Sequence, residues 1–285
     1  MAAEGSPEEG LRRGWLATEL GARIVSALVL AAVVLFATYQ GGLLFALVWL
    51  VAGLAVLGEW ITMARVEPRW TLQLVSGLGL VALTGAYLSP VSLATGAALF
   101  GLGLALALFL GATGRDRLWA AAAFACATVL VVVPPAVRGH PDLGIVAVLW
   151  MFAVVWTTDI AAYFTGRRLG GPKLWPSVSP KKTWSGFGGG LLAGTLAGIA
   201  VPAAAQRWGW TPPLGLWAIA ILSALASVLS QLGDLGESAL KRRFGVKDSG
   251  RLIPGHGGVM DRLDGFWAVA LLTGAGLLAV VLART

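Results

Sequence analysis

The residues of this 285-residue chain best suited to chemistry lie between Gln231 and Asp264. Gln231, Asp234, Glu237 and Ser238 recur at offsets of three and four, which puts them on one face of a helix. A cationic run follows (Lys241, Arg242, Arg243, Lys247), then Asp248, a turn rich in Gly and Pro around His256, and Asp261-Arg262-Leu263-Asp264. If that last piece is helical, Asp261 and Asp264 share a face and can meet Asp234 across an interhelical gap. On their own, Asp234 and Glu237 could simply pair with Lys241 or Arg242 one turn on. The loop changes the reading, because carboxylates crowded around one space repel unless a cation joins them. Oxygen donors suit Mg²⁺, with Mn²⁺ as the alternative, in one ion or in two bridged by an Asp. Phosphoryl and nucleotidyl transfer needs this combination: a metal on the phosphate oxygens, and Lys and Arg to neutralise the remaining charge.

Those groups must be carried by membrane-spanning elements. The chain is 57% hydrophobic and 12% charged, whereas soluble domains carry about 25% charged residues. Apolar runs long enough to cross a bilayer predict an all-α, polytopic transmembrane bundle of about nine spans. They fall near 22–39, 43–63, 70–88, 91–113, 117–137, 143–165, 184–205, 212–238 and 265–283, with breaks in or between spans at Gln40-Gly41-Gly42, Ser89-Pro90 and Pro134-Pro135. With the amino terminus in the cytoplasm, all of the 21 Lys and Arg except Arg138, Arg207 and Arg284 fall on the inner side, as the positive-inside rule requires. The organisation is then a cytoplasmic tail (1–21), a first set of spans (22–140) and a catalytic region (141–285) with cytoplasmic loops 166–183 and 239–264. More apolar runs follow the first, so it reads as a retained span rather than a cleaved signal.

The net charge of +7 does not indicate nucleic acid, since the cations sit in short loops between spans. Cys126 is the single cysteine, which excludes a disulfide framework and a thiolate metal site. Gly186, Gly190, Gly194 and Gly198 form a small-residue stripe that lets another backbone approach closely, from within the bundle or from a second subunit in a homodimer. No strand signal precedes the stripe, so it is not a phosphate-binding loop.

The run Ser238-x-x-Lys241-Arg242, four residues, Lys247-Asp248, then Leu252-x-Pro254-x-His256-Gly257-Gly258-x-x-Asp261-Arg262-x-Asp264 resembles the signature of the phosphatidate cytidylyltransferase family. Two upstream pieces are similar to the same family: Gln231 to Ser238, and Asp159-x-x-Ala162-Tyr163-x-x-Gly166-Arg167 running on to Ser179-Pro180-Lys181-Lys182-Thr183-Trp184. The family usually has Glu where this chain has Ser185. Up to about residue 140 the likeness is only in being apolar and helical.

The resemblance implies a membrane enzyme, in a bacterial inner membrane with its site toward the cytoplasm, that transfers CMP from CTP to phosphatidic acid. It implies Asp234 and Asp261 as metal ligands, with Asp264 supporting catalysis. Asp159, Ser179, Lys181, Lys182, Ser238, Lys241, Arg242, Lys247, Asp248, His256 and Arg262 would serve the substrates. His256 reads as a structural or phosphate contact, because phosphatidate is already ionised near neutral pH. An ion-coupled transporter is the alternative, but it calls for carboxylates near mid-bilayer and related halves; neither is evident.

Overall fold

The computed structural model describes residues 19–253 and 257–282. In lipid, a backbone can satisfy its polar groups only by closing hydrogen bonds internally, and the apolar runs accordingly form nine helices among the described residues. They are α1 Glu19–Gln40, α2 Gly42–Met63, α3 Arg69–Leu88, α4 Leu93–Leu110, α5 Gly114–Gly139, α6 Gly144–Leu169, α7 Trp184–Gln206, α8 Leu216–Arg243 and α9 Met260–Leu282. Their number and order match the nine expected spans. Eight, α2 to α9, are long and apolar enough to cross a membrane, while α1 carries the shorter apolar stretch Ile24–Gln40. Large apolar side chains such as Phe109, Leu192 and Trp217 are exposed, which suits a lipid environment. The tail before Glu19, with Arg12 and Arg13, lies outside the described residues, as do His256 and Arg284.

Three local features differ from the sequence reading. Pro134 and Pro135, expected to mark a break in or between spans, lie inside an uninterrupted α5; the Tyr87 hydroxyl donates to the Pro135 carbonyl at 2.7 Å there. The loop expected at 239–264 is shorter, because α8 continues to Arg243 and α9 already begins at Met260. The loop after α6 holds a hairpin, β1 Lys173–Trp175 and β2 Ser179–Thr183, pairing Lys173 with Thr183 and Trp175 with Ser179. A strand therefore does precede Gly186. It is short and polar, so it has none of the apolar alternation by which strands are read.

The glycine stripe of α7 is consumed inside the bundle. Gly186 packs on the Ala162 carbonyl, Gly190 on the Thr158 carbonyl, Gly194 between Thr158 and Ser227, and Gly198 against Ser223 and Val154. Backbones this close let short polar side chains join across the helices. Thr158 and Ser227 hydroxyls lie 2.8 Å apart, Trp150 Nε1 donates to Ser223 Oγ at 2.9 Å, and Gln231 Nε2 donates to the Phe187 carbonyl at 3.3 Å. The first half of the chain is tied on by an aromatic stack, with Trp49 of α2 at 4.7 Å and Phe152 of α6 at 5.2 Å from Phe266 of α9. Replacing Gly194 by Leu must force α6 and α8 away from α7. The expected cost is about 1–3 kcal/mol, read as a lower thermal unfolding midpoint in detergent; an unchanged midpoint would show that the stripe does not set the spacing.

Candidate active site

Where α8 crosses α9, each helix presents a glycine next to an aspartate. A methyl group at Gly233 would lie 2.5 Å from the Asp264 carbonyl oxygen, and one at Gly265 would lie 2.5 Å from Ser230 Oγ. Only glycine permits that approach. The crossing brings Asp234 and Asp264 within electrostatic reach of each other and of Glu237 and Asp159. Asp264 turns one oxygen to its own helix, with Oδ1 accepting from the Gly265 amide at 2.7 Å.

Cations are inserted among these acids from two directions. Lys182, on β2, reaches Asp234 Oδ2 at 2.5 Å. Lys241, one turn beyond Glu237 on α8, lies 2.6 Å from Glu237 Oε2 and 2.6 Å from Asp261 Oδ1. Arg262 and Lys182 both act electrostatically on Asp159. Five carboxylates therefore share three cations, and the buried end is tightest: the Glu237 and Asp261 side chains are only 4% and 6% exposed.

Asp261 also organises the loop before α9. Its Oδ2 accepts from the Ser249 amide at 3.0 Å, the Ser249 hydroxyl at 3.0 Å and the Gly258 amide at 2.8 Å. Behind that loop stands a residue the sequence reading did not select, Glu59 of α2, which is buried. It accepts from Ser249 Oγ and from the Val259 and Met260 amides. The available signal was an ionisable side chain inside an otherwise uncharged span, which is costly unless it has a role.

The other expected residues fall around this cluster. Ser238 Oγ approaches Asp234 Oδ1 at 3.4 Å, and Ser179 opens β2. Lys181, Lys247, Asp248 and Arg262 are exposed at the same end of the bundle. Arg242 is also exposed and donates to the Val246 carbonyl. Gln231, placed by its spacing on the acidic face, instead ties α8 to α7. Ser185 donates to the Gly170 carbonyl and lies 3.0 Å from Thr183 Oγ1. Its hydroxyl thus closes the base of the hairpin that carries Lys182.

Among the described residues, no three His, Cys, Asp or Glu side chains converge as a protein-only metal cage would. Magnesium does not need one, since it keeps waters and binds through one or two carboxylates together with substrate phosphates. The surplus of carboxylates over cations, and the buried Glu237 Oε1 with no hydrogen-bond partner, fit such an ion.

The sequence profile described as the cytidylyltransferase family matches residues 21–279. The chain belongs to that family. It is similar to the phosphatidate cytidylyltransferases of Brucella suis and Brucella melitensis, each 40% identical over 262 residues that cover 90% of this chain and 92% of those proteins. A shorter match, 46% identical over 126 residues, covers 44% of this chain and 46% of the phosphatidate cytidylyltransferase of Staphylococcus epidermidis. In this cytidylyltransferase, family likeness extends into the first half, which by sequence alone had looked merely apolar; Glu59 is one reason that half is not passive. Lys241→Met should leave Glu237 and Asp261 without their shared cation, at a cost of about 3–5 kcal/mol. Chemical or thermal unfolding in detergent measures it, and wild-type stability would contradict the electrostatic role of Lys241.

Proposed function

We propose that this protein is a phosphatidate cytidylyltransferase that transfers CMP from CTP to phosphatidic acid, giving CDP-diacylglycerol and pyrophosphate. The observation that carries the reading is the pairing of Lys182 with Asp234 and of Lys241 with Asp261, in a chain of this family. Each pair holds a group able to bind phosphate beside one able to bind a metal.

A phosphate oxygen of phosphatidate attacks the α-phosphorus of CTP, the bond to the β-phosphate breaks, and pyrophosphate leaves with that electron pair. The nucleophile is already ionised near neutral pH, so no side chain has to remove a proton. Asp234 and Asp261 would hold Mg²⁺, or Mn²⁺ by the same oxygen chemistry, with Asp264 beside them. The ion's contribution when bound is to draw charge from phosphate oxygens. Lys181 and Lys182 on β2, and Lys241, Arg242, Lys247 and Arg262 around the second loop, neutralise the triphosphate and the lipid headgroup. Ser179, Ser238, Asp159, Asp248 and His256 complete the substrate contacts. Rate acceleration comes from fixed position and preorganised charge rather than from a covalent intermediate.

The Lys and Arg asymmetry supports a cytoplasmic cleft in a bacterial inner membrane. For the lipid, an apolar cavity of about 520 Å³ runs beside the cluster. Its walls include Val56, Leu130, Leu232, Leu240 and Leu271, and Glu237 and Asp264 line it where it meets the acids. From Asp264 it follows α9 to Ala275, about three helical turns, a shape suited to an acyl chain whose headgroup sits at the carboxylates.

Radiolabelled CTP supplied with phosphatidate should enter a chloroform-soluble product, and Asp261→Asn should abolish that incorporation while remaining folded; turnover near wild type in that variant would refute the metal role. Leu271→Trp, which fills the cavity, should raise the KM for long-chain phosphatidate roughly tenfold, equivalent to about two buried methylenes. The KM for CTP and for dihexanoyl phosphatidate should be unchanged. A uniform rise across lipids would place the acyl chain elsewhere.

A further inference from the structure

We infer that Glu59, in the half of the chain without recognised motifs, is a positioning residue for Asp261. It lies on α2 near its end and is 6% exposed. Oε1 accepts from the Val259 amide at 2.9 Å, while Oε2 accepts from the Met260 amide at 2.9 Å and from Ser249 Oγ at 3.0 Å. Met260 is the first residue of α9, so Glu59 meets amide groups that a helix start leaves without intrahelical partners. That task ordinarily falls to a residue just before the helix; here it is done from another helix. A carboxyl group at a helix amino terminus is further favoured by the helix dipole.

The link to Asp261 runs through Ser249. The Ser249 hydroxyl is 3.0 Å from Glu59 Oε2 and 3.0 Å from Asp261 Oδ2. A serine hydroxyl has one proton, so two carboxyl groups share a single donor and each constrains where the other can sit. The loop backbone is folded tightly onto Glu59: a methyl group at Gly250 would lie 2.5 Å from Oε1, and one at Gly258 would lie 2.5 Å from Oε2. Gly258 in turn donates its amide to Asp261 Oδ2 at 2.8 Å. Glu59 therefore fixes the first turn of α9 and the loop that grips one oxygen of Asp261, leaving Oδ1 directed at Lys241. Glu59 touches no expected substrate group; it acts on Asp261 through Ser249 and the first turn of α9. The catalytic meaning of this rests on the proposed function, whereas the positioning itself does not.

The full-length protein in detergent tests it by two readouts. Glu59→Gln preserves shape but replaces one acceptor oxygen with an NH₂ group, which cannot accept. Hydrogen exchange at Val259 and Met260 should accelerate about tenfold or more, with α3 exchange unchanged. The Mg²⁺ midpoint for CDP-lipid formation should rise roughly 10- to 100-fold, as when a partner holding a metal ligand is lost, with the KM for phosphatidate unaltered. Ser249→Ala keeps both amide bonds to Glu59 and removes only the shared proton. It should shift the Mg²⁺ midpoint in the same direction without changing exchange at 259 and 260. Wild-type exchange and a wild-type midpoint in Glu59→Gln overturn the inference. Where Glu59→Gln does not fold, Ser249→Ala decides: an unmoved midpoint overturns it and a raised one supports it. Should the wild-type protein make no CDP-lipid, the proposed activity fails, and the exchange measurement alone judges Glu59.

Discussion

The site depends on one half-buried ammonium group. Lys241 stands 2.6 Å from both Glu237 and Asp261, and without it two carboxylates on neighbouring helices would face each other in a space nearly closed to water. Removing one partner of a buried charge arrangement costs far more than a surface pair is worth. What forces the acids together in the first place is apolar and steric: α8 and α9 meet at Gly233 and Gly265, where any side chain would strike the opposite helix. Packing thus creates an electrostatic tension that Lys241 and Lys182 relieve only in part. The cluster holds more carboxyl groups than cations.

Rigid supports hold the crossing from behind. The stack of Trp49, Phe152 and Phe266 ties α2, α6 and α9 beneath the cluster. At the end of α8, Phe244 packs edge-on to Trp119 at 5.0 Å, with the Arg115 guanidinium 5.7 Å from its ring. Arg115 also donates to the Ala64 carbonyl at the end of α2. These contacts, with Glu59, anchor both ends of the second loop on the first half of the chain. Sites mounted on helices supported in this way keep their geometry better than sites borne by loops alone.

Much of this was legible in the sequence because bilayer physics is strict. Helix number and order follow from the length of apolar runs, and the approach of Asp264 to Asp234 between α8 and α9 is compatible with the helical offsets, while Asp261 faces Lys241 and Glu237 one turn further along. The hairpin was not legible, because Lys181 and Lys182 stand in a strand too short and polar to show alternation. Nor were the partners of Glu59: Ser249, Val259 and Met260 lie about 200 residues away, and no local pattern encodes a contact at that range. Gln231 shares the face of Asp234 and Glu237 by spacing, and the close approach of α7 at Gly190 and Gly194 gives its amide a backbone partner in Phe187.

The order of polar groups along α8 explains why the chemistry sits at one end. Ser223, Ser227, Gln231, Asp234 and Glu237 recur every three or four residues. The hydroxyls come deepest and find partners on α6, through Trp150 and Thr158. An amide follows, and the ionisable groups appear only as the helix nears its basic end at Lys241, Arg242 and Arg243. A charge at the centre of a span costs about 2.5–3.5 kcal/mol or more, whereas near the boundary long side chains reach water or headgroups. An ion-coupled transporter must accept that central cost, because its ion crosses the midplane. This bundle does not: its middle is held by neutral hydrogen bonds, and its carboxylates gather where a water-borne nucleotide and a lipid phosphate can both arrive.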